Sequence, residues 1–139
     1  MDIAAGPSEV MSVTGGVADL TTRVLESALD GAAAQHRVAA NNIANVETPG
    51  YTAKRVRFEE QLRIALRAEQ GGEPGGPVER LRPEIASTGD AAGPDGNNVS
   101  VEAEMTELGE AALRYRTLTR MLSRRLQMVG TAIGDGRGA

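Results

Sequence analysis

The chain has 139 residues, a formal charge of −4, 40% apolar side chains, one His, one Phe, two Tyr, and neither Cys nor Trp. One copy can therefore build no disulfide framework, thiol chemistry or histidine-based metal site, and so few aromatics favour helix-on-helix packing by Ala, Val and Leu over a thick globular core. The acidic balance weighs against nonspecific nucleic-acid binding, although fourteen of the fifteen basic residues are Arg, and no stretch approaches the roughly 18 apolar residues of a membrane span.

Residues 1–16 mix Gly, Pro and Ser with scattered apolar side chains and read as a flexible leader. They lack the basic start and apolar run of a cleaved signal peptide, so the chain is expected to be cytosolic or to leave the cell by a route that cleaves none. From Val17 a helix is expected through residue 46. Ala18, Thr22, Leu25, Leu29, Ala32, His36, Ala39 and Ile43 alternate by four and three, with Val17, Val24, Ala28 and Val38 on the adjoining stripe. Such a helix is roughly 40 Å long.

Asn41, Asn42 and Asn45 crowd the end of this helix, and Thr48-Pro49-Gly50-Tyr51 follows as a tight turn. Pro49 presets φ for the second turn position, and Gly50 tolerates the positive φ that a type II turn needs at the third. The asparagine amides offer uncharged donors and acceptors that either cap loose helix carbonyls or bond a neighbouring chain.

Residues 47–70 then comprise this turn, a short extended segment with Val56 and Phe58 on one side, and a short helix from Glu59 to Ala68 edged by Leu62, Ala65 and Leu66. Residues 71–98 are a Gly/Pro-rich loop with room for a weak strand around Val78, Leu81 and Ile85. Asp95-Gly96-Asn97 is a turn signal. From 99 to 134 the periodicity is the strongest in the chain. Val101, Met105, Leu108, Ala112, Tyr115, Thr119, Leu122, Leu126, Val129 and Ile133 keep the four-three alternation, which reads as a coiled-coil seam roughly 50 Å long. Residues 135–139 are a tail.

Glutamates 102, 104, 107 and 110 fill the first half of this last helix, and arginines 114, 116, 120, 124 and 125 the second. Ala111, Leu118, Met121 and Met128 lie beside the seam and widen its apolar face beyond what one partner helix covers, which implies additional neighbours unless the Glu59 to Ala68 helix folds back over it. The fold expected is mainly α, with long terminal helices paired as a coiled coil, parallel or antiparallel, around an irregular middle segment holding a short helix and room for short strands.

Chemistry is hard to place on these residues. Gly71 to Gly76 lacks the Lys-Ser/Thr and the flanking elements of a phosphate loop, and the Asp95 cluster lacks the ligand spacing of a calcium loop. His36 reads as a packed seam residue, and Glu107 and Glu110 as solvated helix charges. No catalytic residue, cofactor, metal or small-molecule substrate is expected. A helical dimer binding nucleic acid through the Arg-rich half is the alternative, opposed by the acidic half of the same helix and by the lack of a helix-turn-helix or basic-zipper arrangement.

Asn42-Ile43-Ala44-Asn45 followed by Thr48-Pro49-Gly50-Tyr51 resembles the N-terminal signature of bacterial flagellar rod and hook proteins. Asp95-Gly96-Asn97-Asn98-Val99, leading into an acidic helix start and long heptads, resembles that family's second shared block. The short length, without a large domain between the blocks, most resembles its proximal rod members, as does the stretch Tyr51 to Leu66. The resemblance covers residues 17–70 and 95–133. It implies terminal helices packed near the axis of a tubular assembly, export through the flagellar type III apparatus without signal cleavage, and polymerisation into the periplasmic drive shaft that transmits torque. It also implies as partners other copies, further rod proteins, the adaptor FliE and the membrane-embedded ring. Leu25, Leu29, Ile43, Met105, Leu108, Tyr115, Leu122, Leu126 and Val129 would then be the packing seam, and residues 42–45 and 48–51 the assembly motif where subunits meet.

Overall fold

The computed structural model describes residues 7–71 and 77–135. In chain order these form α1 (Pro7–Ala44), β1 (Lys54–Arg57), α2 (Glu59–Gln70), α3 (Pro77–Arg80), β2 (Glu84–Ser87) and α4 (Val101–Asp135). Two helices of 38 and 35 residues dominate, and they pack on each other along much of their length. The polarity left open by the sequence is antiparallel: α1 advances from Gln35 to Asn42 while its bonded partners on α4 run back from Arg114 to Glu104.

α1 begins at Pro7 rather than Val17. Proline suits a first helical turn, where its missing N–H has no intrahelical partner and its fixed φ is already helical. Gly15-Gly16 hides the continuation, since each glycine weakens a helix by about 1 kcal/mol. Residues 1–6 of the expected leader, 72–76 of the expected loop and 136–139 of the tail lie outside the described residues.

The middle of the chain is more ordered than a loop. β1 and β2 pair antiparallel, with Lys54 opposite Ser87, Arg55 opposite Ala86, Val56 opposite Ile85 and Arg57 opposite Glu84. Thr88 N–H donates to Ala53 C=O at 2.8 Å and extends the ladder. α3 is a single turn that buries Val78 against α1.

α2 lies along α1 and not over the Met121 and Met128 stripe of α4, both of which stay exposed. Two points fix it. The Phe58 ring, buried just before α2, sits on α1 at Gly31, where a Cβ would stand 2.5 Å from Cε1 and 2.9 Å from Cγ. Near the other end, Glu69 Oε1 accepts from Arg23 of α1 at 2.6 Å. Gly71 closes the helix, donating its N–H to the Arg67 and Ala68 carbonyls.

The core is correspondingly thin and alanine-rich: Ala32, Ala34 and Ala39 of α1 and Ala111 of α4 are buried beside Leu25, Val38 and Phe58. Small side chains let the two backbones approach closely, so the line on α4 that faces α1 runs through Glu104 and Ala111 and is flanked by half-buried Leu108, Leu118 and Leu122. This displaces the expected seam round the helix. Residue 105 points about 100° away from residue 104 on an α-helix, and Met105 is accordingly 62% exposed. Tyr115, Leu126 and Val129 are also exposed. On α1, Leu25 is buried and Leu29 and Ile43 are half-buried, whereas His36 faces solvent at the margin of the pair.

Candidate functional site

The head of the helix pair gathers both sequence blocks into one hydrogen-bonded clasp. α1 ends by tightening: Asn45 and Val46 donate N–H groups to the Asn42 and Ile43 carbonyls at 3.1 and 3.2 Å, and Asn45 Nδ2 caps the Asn41 carbonyl at 2.8 Å. Thr48 Oγ1 donates to Asn45 Oδ1 at 3.2 Å. The expected turn follows, closed by Tyr51 N–H on Thr48 C=O, with Gly50 at φ +73°.

Asn42 does not cap anything. Its side chain is fully buried (0% exposed) and uses its whole bonding capacity. Nδ2 donates to Lys54 C=O at 2.9 Å and to Glu104 Oε2 at 3.0 Å, while Oδ1 accepts from Lys54 N–H at 3.0 Å and Tyr51 Oη at 3.1 Å. By bonding both backbone groups of Lys54, the amide stands in for a peptide unit along the edge of β1. Glu104 is 1% exposed, and its second oxygen accepts from Arg55 NH1 at 2.6 Å. α1, the chain reversal, β1 and α4 thus meet at one buried amide and one buried carboxylate, and every partner in the set is satisfied, as a buried polar network requires.

The second block locks onto the first from the other side. Asn97 Nδ2 lies 2.9, 3.1 and 2.8 Å from the carbonyls of Asn45, Val46 and Thr48, so the loose carbonyls at the end of α1 are capped by a residue some fifty positions away. Its Oδ1 accepts from Val99 N–H at 2.8 Å, and its own N–H is held by Asp95 Oδ1 at 3.1 Å. Asn98 Oδ1 accepts from Ala53 N–H at 2.6 Å, and its Nδ2 reaches Thr88 Oγ1 and Asp90 C=O. Gly50 N–H donates to Asp95 C=O at 2.9 Å.

Gly96, at φ +80°, comes so near that a Cβ on it would lie 3.3 Å from Gly50 Cα. Backbone conformation and space both demand glycine there. Gly96→Ala is therefore expected to lower stability by about 1–2 kcal/mol, read as a lower urea midpoint at unchanged slope.

Of the expected motif, Asn42, Asn45, Thr48, Gly50 and Tyr51 are joined in this clasp, Ile43 is half-buried beside it, and Ala44 and Pro49 are exposed. Asn97 and Asn98 of the second block belong to it too, and so do Glu104 and Arg55, which the sequence did not single out. The sequence places Glu104 only among the glutamates that fill the first half of α4, yet its spacing gives it away. It shares a heptad position with Ala111 and Leu118, and a carboxylate on an apolar line needs a buried partner.

Among the described residues no helix is long and apolar enough to cross a membrane. Among these residues no group of three or more His, Cys, Asp or Glu side chains is placed to hold a metal ion.

The comparisons with known proteins point one way. A family profile described as "Flagella basal body rod protein" matches residues 23–52, the segment from mid-α1 to the chain reversal. The chain is 31% identical over 123 residues to the flagellar basal body rod protein FlgB of Bacillus subtilis, covering 84% of this chain and 95% of that protein. It is 34% identical over 108 residues to the protein of that name from Cereibacter sphaeroides, covering 71% and 82%, and 26% identical over 134 residues to that of Escherichia coli, covering 85% and 96%. With that likeness running through both halves of the clasp, the chain belongs to the flagellar basal body rod protein family.

Proposed function

We propose that this chain is a structural, non-enzymatic subunit of the proximal rod, and that it polymerises through its terminal helices into the shaft that transmits torque. The observation that carries the reading is the apolar surface left on α4. Met105, Leu113, Met121, Leu126, Met128 and Ile133 are each more than half exposed on one helix, and in this reading neighbouring subunits cover them. The clasp sets the head of the subunit, so these side chains are presented on a helix of fixed direction. In this reading the neighbours are other copies, further rod proteins, FliE and the membrane-embedded ring, and the subunit reaches the periplasm through the flagellar type III apparatus without losing a signal peptide.

Electron cryotomography of cells lacking the gene tests it. The expected basal bodies have membrane rings but no rod, restored by the intact gene; complete rods with normal filaments would overturn the proposal. Within the same cells Leu126→Asp is expected to abolish incorporation while purified protein unfolds at an unchanged urea midpoint, because the side chain is exposed in the subunit and covered only in the assembly. Normal rods carrying that variant would remove the α4 stripe from the interface.

A further inference from the structure

The two grooves of the α1–α4 pair differ in charge and in what covers them. Gln35 and Arg37 are two residues apart on α1, as are Arg114 and Arg116 on α4, so each pair of side chains points about 200° apart. Arg114 bonds Gln35 at 2.6 Å and Glu59 at 3.1 Å on the side that α2 and the hairpin occupy. Arg37 and Arg116 lie on the opposite side, where they border an open groove of about 350 Å³ with Ala33, His36, Ala112 and Tyr115. Among the described residues neither Arg37 nor Arg116 has an ion-pair partner. The floor is made of small side chains, and none of the described residues fills it.

The covered side is the electrostatic converse. Around the mouth between α2, the hairpin and α4, the carboxylates of Glu59, Glu60, Glu84 and Glu107 outnumber the guanidiniums of Arg57, Arg114 and Arg63, the last paired with Glu60. Two unpaired positive charges bordering the open groove therefore stand opposite a mouth with one negative charge in excess. A surface that complements a different surface of the same chain, on the opposite face, makes a heterologous contact that repeats in one direction.

We infer that the occupant of the basic groove is a second copy of this chain, whose carboxylate-rich mouth between α2, the hairpin and α4 lies across Arg37 and Arg116. The inference rests on the rod reading and specifies its lateral contact. The exposed apolar side chains of α4 and this ionic contact respond differently to salt: complementary charges of this kind set register and encounter, and weaken as ionic strength rises.

The test is charge reversal with rescue in the full-length protein, read as copies per isolated basal body. Arg37→Glu/Arg116→Glu is expected to lower incorporation about tenfold. Adding Glu60→Arg/Glu84→Arg to the same chain is expected to restore at least about half of it. Loss without rescue, or no loss, overturns the inference and leaves the rod reading intact. Absence of the wild-type chain from basal bodies overturns both.

A second measurement does not depend on assembly yield. Lys54 is the single lysine of the sequence, so Arg37→Lys/Arg116→Lys keeps the groove's charge while placing two amines in it. Carbodiimide coupling in basal bodies is expected to join those lysines to Glu59, Glu60, Glu84 or Glu107 of another copy. Joins confined to other carboxylates contradict the inference. So does retention of duplex DNA by the purified wild-type chain at 150 mM salt that the Arg37→Glu/Arg116→Glu form has lost, which would assign the groove to nucleic acid.

Discussion

Replacing Asn42 with alanine is expected to lower the unfolding free energy by about 3–5 kcal/mol, the largest effect of any single polar substitution in this chain. The estimate follows from what would be left behind. Lys54 N–H and Tyr51 Oη would lose their acceptor, and the Lys54 carbonyl and the Glu104 carboxylate, the latter at 1% exposure, would each keep only Arg55. Each stranded buried group costs roughly 1–3 kcal/mol, with partial relief where the vacated volume admits water.

Urea denaturation followed by circular dichroism measures the loss, and a shift of less than about 1 kcal/mol would mean that the network contributes little. The companion Glu104→Gln removes the charge but keeps the shape and one acceptor, and is expected to cost less than Glu104→Ala. Asn42→Asp should be as harmful as alanine. It would set a second carboxylate against Glu104 and against the Lys54 carbonyl.

Gly31→Ala is expected to destabilise the subunit by about 2–3 kcal/mol, opposite in sign to the usual result for this exchange in a helix. Elsewhere in a helix interior the added methyl stabilises by about 1 kcal/mol, because glycine is the costlier residue to order. Here the methyl would overlap the Phe58 ring at Cδ1, Cε1 and Cγ, and the helix backbone and the buried ring leave it no space. Overpacking of this kind costs about 1–3 kcal/mol and displaces the aromatic that seats α2 on α1.

The mechanism is tested by a double-mutant cycle. Phe58→Ala alone is expected to cost about 3–5 kcal/mol, and Gly31→Ala in that background to be neutral or stabilising, because the collision is gone and only the helix propensity remains. Additive losses would show that Gly31 acts through something other than the ring.

The parts of this architecture that follow from local pattern were legible in the sequence. Pro49-Gly50 announced a turn whose Gly50 φ is positive, the two long amphipathic helices were plain from periodicity, and Glu59 to Ala68 reads as helix from its apolar edge, within the observed Glu59–Gln70. The features that escaped are those decided by residues far apart. Antiparallel pairing depends on which ends of α1 and α4 meet, and that is fixed by Asn42, Glu104 and Asn97 acting across the chain. The rotation of the α4 seam depends on Ala111 beating larger neighbours to the interface, since close approach favours the smallest side chain and four-three periodicity alone weighs Leu126 as heavily. The β1–β2 pairing joins Lys54-Arg55-Val56-Arg57 to Glu84-Ile85-Ala86-Ser87, neither of which alternates cleanly in polarity. Asn42 was legible as a motif residue, but its inward role was not, because an asparagine near a helix end serves equally well as a cap.

The clasp has a consequence for how such a chain tolerates change in length. Because Asn97, Asn98 and Asp95 are tied to the carbonyls and amides of residues 45–53, everything between these two points is a closed excursion whose ends are held by the fold. Closing a longer excursion costs chain entropy only logarithmically, about 0.6 kcal/mol for each doubling. Sequence added at the glycine-rich span after Gln70 therefore lengthens the excursion at little thermodynamic expense and leaves the meeting of α1 and α4 unaltered, so the same helical stem can carry appendages of very different size.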